Sequence, residues 1–116
     1  MSNITLPGIT VAPETEVQED IRTRRVPPYH VILLNDDHHS MEFVVEVLCK
    51  SLGISAEKAF QFMLHAHTMG EAVVWTAPKE VAELKAEQIQ TFHEVREHDH
   101  KQLGPLGVRV EPAPVG

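Results

Sequence analysis

A chain of 116 residues, 42% of them apolar, has material for one modest core and leaves no room for a second. A formal charge of −7 without any dense Lys/Arg cluster excludes a phosphate-gripping nucleic-acid surface and favours a partner that carries a positive group. The single cysteine, Cys49, excludes an internal disulfide and points to a reducing compartment.

Residues 1–27 contain Pro7, Gly8, Pro13 and Pro27 and a mixed-charge run, "ETEVQEDIRTRR", without a sustained period. They read as a flexible tail. The start lacks a basic segment followed by an unbroken apolar stretch, and no apolar run approaches the ~20 residues that span a bilayer. A cytoplasmic monomer without a membrane partner is expected.

The core domain is expected over 28–111. "YHVILL" (29–34) is too short for a helix and apolar on both faces, as a central strand would be. From Ser40 the period changes: Met41, Val44, Val45, Leu48 and Leu52 form one helical stripe, with Ser40 as N-cap and Gly53 as the stop. Ser55 opens a second helix with Ala59, Phe60, Met63 and Ala66 along one side, and Gly70 closes it. "EAVVWT" (71–76) reads as a strand, and Pro78 sits where a first helical turn accepts proline. A third helix is expected to about Arg96, with Ala82, Ala86, Ile89 and Phe92 inward. "GVRVE" (107–111) alternates as a last strand, and 112–116 reads as a loose end. The order β-α-α-β-α-β predicts a two-layer α+β domain with a three-stranded antiparallel sheet.

Two groups of residues carry chemistry. On spacing alone Asn35, Asp36 and Asp37 read first as a strand-to-helix turn, a common arrangement in which Asn and Asp bond their own backbone, and only with a further convergent group as a set of acceptors for a cation. "MLHAHTMG" places His67 at the edge of the second helix's buried face and His65 in solvent. The eight histidines also allow a metal site, through "DDHH", "HAH" or "HDH". Against it stands the lack of compact, cysteine-containing spacings, and "HDH" falls in a polar loop. Ser40 and Thr68 read as a cap and a helix-end residue, so no nucleophile stands ready for His67 and no enzyme is expected.

"YHVILLNDDHHSMEFVVEVL", "MLHAHTMGEAVV" and "TAPKEVAELKAEQIQTF", in this order and spacing, resemble the ClpS family, adaptors that hand N-degron substrates to AAA+ Clp proteases. The resemblance covers about residues 28–98. It implies a fold like the C-terminal domain of ribosomal protein L7/L12. It also implies binding of the free N-terminus of proteins that begin with Leu, Phe, Tyr or Trp. An α-ammonium has three donors and needs three acceptors. By this resemblance Asn35, Asp37 and His67 supply them, and Asp36 adds negative field. Met41, Met63 and Ala66 match pocket-lining positions, with Val44 and Leu33 behind, and Met41 narrows the entrance against Ile and Val. Glu80 and Lys85 match positions that dock the unfoldase N-domain, ClpA-like or ClpC-like. No cofactor is implied. His38, His39 and Ser40 stand where the family often has an aromatic residue, Thr and Pro. Ala66 replaces a larger aliphatic residue. In "HDHKQLGPLGVRVEP", either Leu103 or Leu106 takes the place of a pocket-closing leucine.

Overall fold

The computed structural model describes residues 27–114. All of the expected N-terminal tail except Pro27 thus lies outside the described residues. Six elements follow in the expected order: β1 (Tyr29–Leu34), α1 (Met41–Leu52), α2 (Ala56–Met69), β2 (Glu71–Ala77), α3 (Lys79–Gln90) and β3 (Val108–Pro112). The sheet is antiparallel throughout, in the order β2-β1-β3.

The central position of β1 explains why its apolar residues run consecutively. Val31 and Leu33 join the cluster under the helices, whereas Ile32 points to the other face and is still only 1% exposed. Ile32 pairs with Val73 on one side and Arg109 on the other. The Arg109 guanidinium reaches Glu71 and Glu111, each at 2.9 Å, across that outer face. Between Val31 and Ile32 the register with β2 slips, so Val31 faces Trp75 while Ile32 faces Val73. The extra residue, Val74, makes a bulge that sends both Val74 and Trp75 toward the core.

Two serines start the first two helices. Ser40 Oγ accepts from the Phe43 amide and Ser55 Oγ from the Lys58 amide, both at 3.1 Å, each cap contributing about 1 kcal/mol. Pro78 is the N-cap of α3, one place before the helix proper, and makes no side-chain cap bond. Leu48, Ile89, Leu106, Val31 and Val47 are fully enclosed and make the centre of the core. Each such side chain contributes ~1.5–3 kcal/mol by leaving water.

Three expectations need correction. Phe60 is 45% exposed, because the buried face of α2 runs through Ala59, Met63 and Ala66 and leaves Phe60 one step outside it. Helix α3 ends at Gln90 rather than near Arg96, where Thr91 Oγ turns back to donate to the Gln88 carbonyl at 2.7 Å. Residues 94–103 then fold on themselves, with Arg96 N–H on Lys101 O at 3.0 Å and Leu103 N–H on Glu94 O at 2.8 Å. Finally, the chain is not loose from residue 112: β3 reaches Pro112, and the buried Ala113 donates its amide to Pro28 O at 2.8 Å.

Candidate functional site

Residues 35–40 join the end of β1 to the start of α1, and backbone bonds hold them from both sides. The Asn35 amide donates to Gly70 O and the Leu34 amide to Gly107 O, both at 3.0 Å. Gly70 closes α2 with φ 95°, a left-handed conformation that a side chain would strain, and its own amide returns to Ala66 O at 2.8 Å. One residue therefore ends α2 through its N–H, with His67 in the last turn, and anchors Asn35 through its carbonyl. Gly107 is close-packed for a different reason: a Cβ there would stand 3.3 Å from Leu34 Cδ1.

Between this loop and the helices lies a cavity of about 230 Å³. Its apolar wall comes from Leu33, Met41, Val44, Met63, Ala66 and Leu106, on two helices, a strand and the loop before β3. Its polar side carries Asn35, Asp37 and His67. Among the described residues these three polar side chains make no hydrogen bond to the protein, so their acceptors are available to a guest. Met41, at the first turn of α1, is 58% exposed and stands at the mouth, whereas Met63 is 8% exposed and Ala66 2%. The arrangement offers a greasy slot and, beside it, a carboxylate, an amide oxygen and an imidazole. That combination suits a small cation that carries an apolar group.

The sequence-based residues converge well, with three refinements. His67 is exposed at the rim rather than half-buried. Leu106 is fully buried in the cavity wall, while Leu103 is partly exposed and takes no part in the lining. Asp36 lines the cavity, but its carboxylate is occupied. Oδ1 accepts from the His38 amide at 2.6 Å and the His39 amide at 3.3 Å, and Oδ2 faces His39 Nδ1 at 2.6 Å. Burial alone would raise the Asp36 pKa, yet the His38 amide and the His39 ring together outweigh it and hold the carboxyl below its usual value. These bonds are therefore in force at neutral pH and are lost only on acidification through and below the ordinary carboxylate range. Leu34, His39 and Leu64 also line the cavity and are not singled out by the sequence. Leu64 is legible in principle, three residues before His67 on the same helical face. His39 is not, since its partners include Gly104, 65 residues away.

Comparison with known proteins bears on this geometry. The family model described as "ATP-dependent Clp protease adaptor protein ClpS" matches residues 24–106. The chain belongs to the ClpS family. Among curated ClpS adapter proteins it is 46% identical to that of Methylococcus capsulatus over 77 residues, 66% of this chain and 73% of that one. With the ClpS adapter of Salmonella arizonae it shares 42% identity over 92 residues, 78% of this chain and 85% of that one. The solved structure of Agrobacterium tumefaciens ClpS2 bound to L-phenylalaninamide superposes with a TM-score of 0.62 at 34% identity, covering 75% of this chain and 98% of that one.

For this ClpS-family chain the structure also places the two α3 residues expected to dock an unfoldase. Five positions apart, Glu80 and Lys85 stand about 140° apart around the helix axis. Glu80 is exposed in the first turn. Lys85 is half-buried: its Nζ donates to Ser51 O at 3.3 Å and lies 5.1 Å from the centre of the Trp75 ring. The lysine thus tethers the end of α1 and complements its C-terminal dipole. Between them α3 exposes Val81 (41%) and Leu84 (51%). Among the described residues no three His, Cys, Asp or Glu side chains converge as a metal set, and no helix is long and apolar enough to cross a membrane. In "HDH", Asp99 is engaged by Arg96 Nη2 at 2.7 Å and the Lys101 amide at 3.0 Å, which makes this a closed turn.

Proposed function

We propose that this chain is a ClpS adaptor that binds proteins by a free N-terminal Leu, Phe, Tyr or Trp and delivers them to a Clp protease. The observation that carries the proposal is one cavity with Asn35, Asp37 and His67 on its rim and Met41, Val44, Met63, Ala66 and Leu106 around its apolar depth. An α-ammonium fits the three acceptors, and the first side chain fits the slot. L-Phenylalaninamide, the molecule bound to the Agrobacterium relative, is little more than these two groups and a first carbonyl. Slot burial alone is worth ~1.5–3 kcal/mol, and micromolar binding needs about 8 kcal/mol. Bonds to the ammonium must supply much of the rest.

The test is a binding titration with peptides that differ only in their first residue. Leu, Phe, Tyr and Trp should bind, and Ala, Glu and Lys should not. A flat response across first residues would sink the proposal. Delivery is assigned to α3, where Glu80 and the exposed Val81 and Leu84 offer a surface to a ClpA-like or ClpC-like N-domain, with Lys85 setting its orientation.

Two further expectations concern particular residues. Met41→Ala should widen the mouth and admit peptides beginning with Ile or Val, while Leu-initiated peptides lose less than about tenfold. A variant that still rejects Ile removes Met41 from the gate. His67 has to offer a lone pair to the ammonium. His67→Ala should therefore raise the Kd of a Leu-initiated peptide about tenfold or more, the size of one hydrogen bond to a charged group. An unchanged Kd in the variant would remove His67 from the receptor.

A further inference from the structure

His39 has an unusual environment for a residue in a surface loop. Its side chain is 4% exposed and stacks on the Phe43 ring, with centroids 5.2 Å apart and planes inclined by 16°. Nδ1 lies 2.6 Å from Asp36 Oδ2, and Nε2 lies 2.7 Å from Gly104 O. A carboxylate and a backbone carbonyl can only accept. A neutral imidazole has one N–H, so either tautomer would press a lone pair against an oxygen at under 3 Å in a buried site. Only a ring with hydrogen on both nitrogens satisfies both contacts. Its surroundings agree: Asp36 is the ion-pair partner among the described residues, Phe43 is uncharged, and the Glu94 carboxylate sits on the neighbouring Ser40 amide at 3.0 Å.

We propose that His39 is a positioning residue, an imidazolium clip that ties the Asn35–Asp37 loop to the 103–107 loop and neutralises Asp36. This rests on the amino-terminus reading for its functional consequence, though not for its geometry. The clip joins the two segments that bring the cavity's rim and its wall: Asn35 and Asp37 on one, Leu106 on the other. It also gives the two aspartates different roles. Asp36 holds the loop through His38 and His39, and Asp37 is left as the carboxylate that meets the incoming ammonium.

The experiment uses the full chain in three measurements. Long-range 1H–15N correlation spectra of the histidine rings at pH 7, without peptide, should show hydrogen on both nitrogens of His39. Amide hydrogen exchange should then be compared between the wild type and His39→Phe, which keeps the bulk and the stacking but has no donors. Exchange should quicken in residues 34–39 and 103–107 and stay unchanged in α3. His39→Phe should also raise the Kd for a Leu-initiated peptide about tenfold, the size expected for losing one charge-assisted contact. A bare ring nitrogen on His39 would overturn the proposal, as would unchanged exchange at both loops or unchanged affinity in a chain that binds peptide. A wild type with the doubly protonated ring and the clip-dependent exchange, yet without peptide binding, would support the clip and refute the receptor.

Discussion

N-acetylation of a Leu- or Phe-initiated peptide should weaken its binding by at least a hundredfold. Acetylation leaves the first side chain untouched and converts a cation with three donors into a neutral amide with one. The side chains of Asn35, Asp37 and His67, which line the cavity and make no hydrogen bond to the protein among the described residues, would then be shielded from water by the peptide without receiving a charge. Hydrogen bonds to charged groups are worth about 1.5–3 kcal/mol each. Losing two of them corresponds to a hundredfold or more. Fluorescence anisotropy with a labelled pair of peptides measures this directly. Equal affinity for both forms would mean that the acceptors do not receive the amino group, whatever the slot does.

Replacing Leu106 by alanine should carry the largest cost to the fold. The side chain is fully buried, belongs to the main core and also walls the cavity. Leu→Ala at such a site costs about 2–5 kcal/mol, a large part of the roughly 5–15 kcal/mol that holds a domain together. Leu103→Ala is the matched control, because Leu103 is partly exposed and outside the cavity; it should cost less than about 1 kcal/mol. Urea unfolding of both variants tests the contrast. In the surviving folded fraction, Leu106→Ala should relax discrimination between Leu and Trp as first residues. Comparable losses from both substitutions would remove the distinction between the two leucines.

The parts of this molecule that are legible in the sequence are those that depend on near neighbours. A serine before an apolar stripe and a glycine after it mark α1 and α2 correctly, because caps and stops act within four residues. The unbroken apolar run of β1 reveals a central strand, since both of its faces are covered. The pattern misleads where distant partners decide. Phe60 and Phe62 lie on either side of the α2 stripe, and only the packed structure shows that Phe62 touches the core and Phe60 does not. The end of α3 falls earlier than its periodicity suggests because residues 94–103 fold against one another instead of extending the helix.

The same division holds for the site. Asn35, Asp37 and His67 stand out through a family resemblance, since spacing alone leaves Asn-Asp-Asp as an ordinary turn. The structure then shows that they line one cavity. Asp36 is the instructive case. Its type and position suggest charge for the guest, but its carboxylate serves the loop through His38 and His39. A one-dimensional pattern reports which groups are available and says nothing of which are already spent.

Among the described residues the three-stranded sheet ends on two outer strands, β2 and β3. An unguarded edge recruits extended chains as extra strands and seeds aggregates. Here the Val74 bulge interrupts the regular ladder of β2. On β3, Pro112 lacks an amide to offer, and Arg109 with Glu71 and Glu111 ties charge across the outer face. Both outer strands of the sheet are thus built to refuse a further strand.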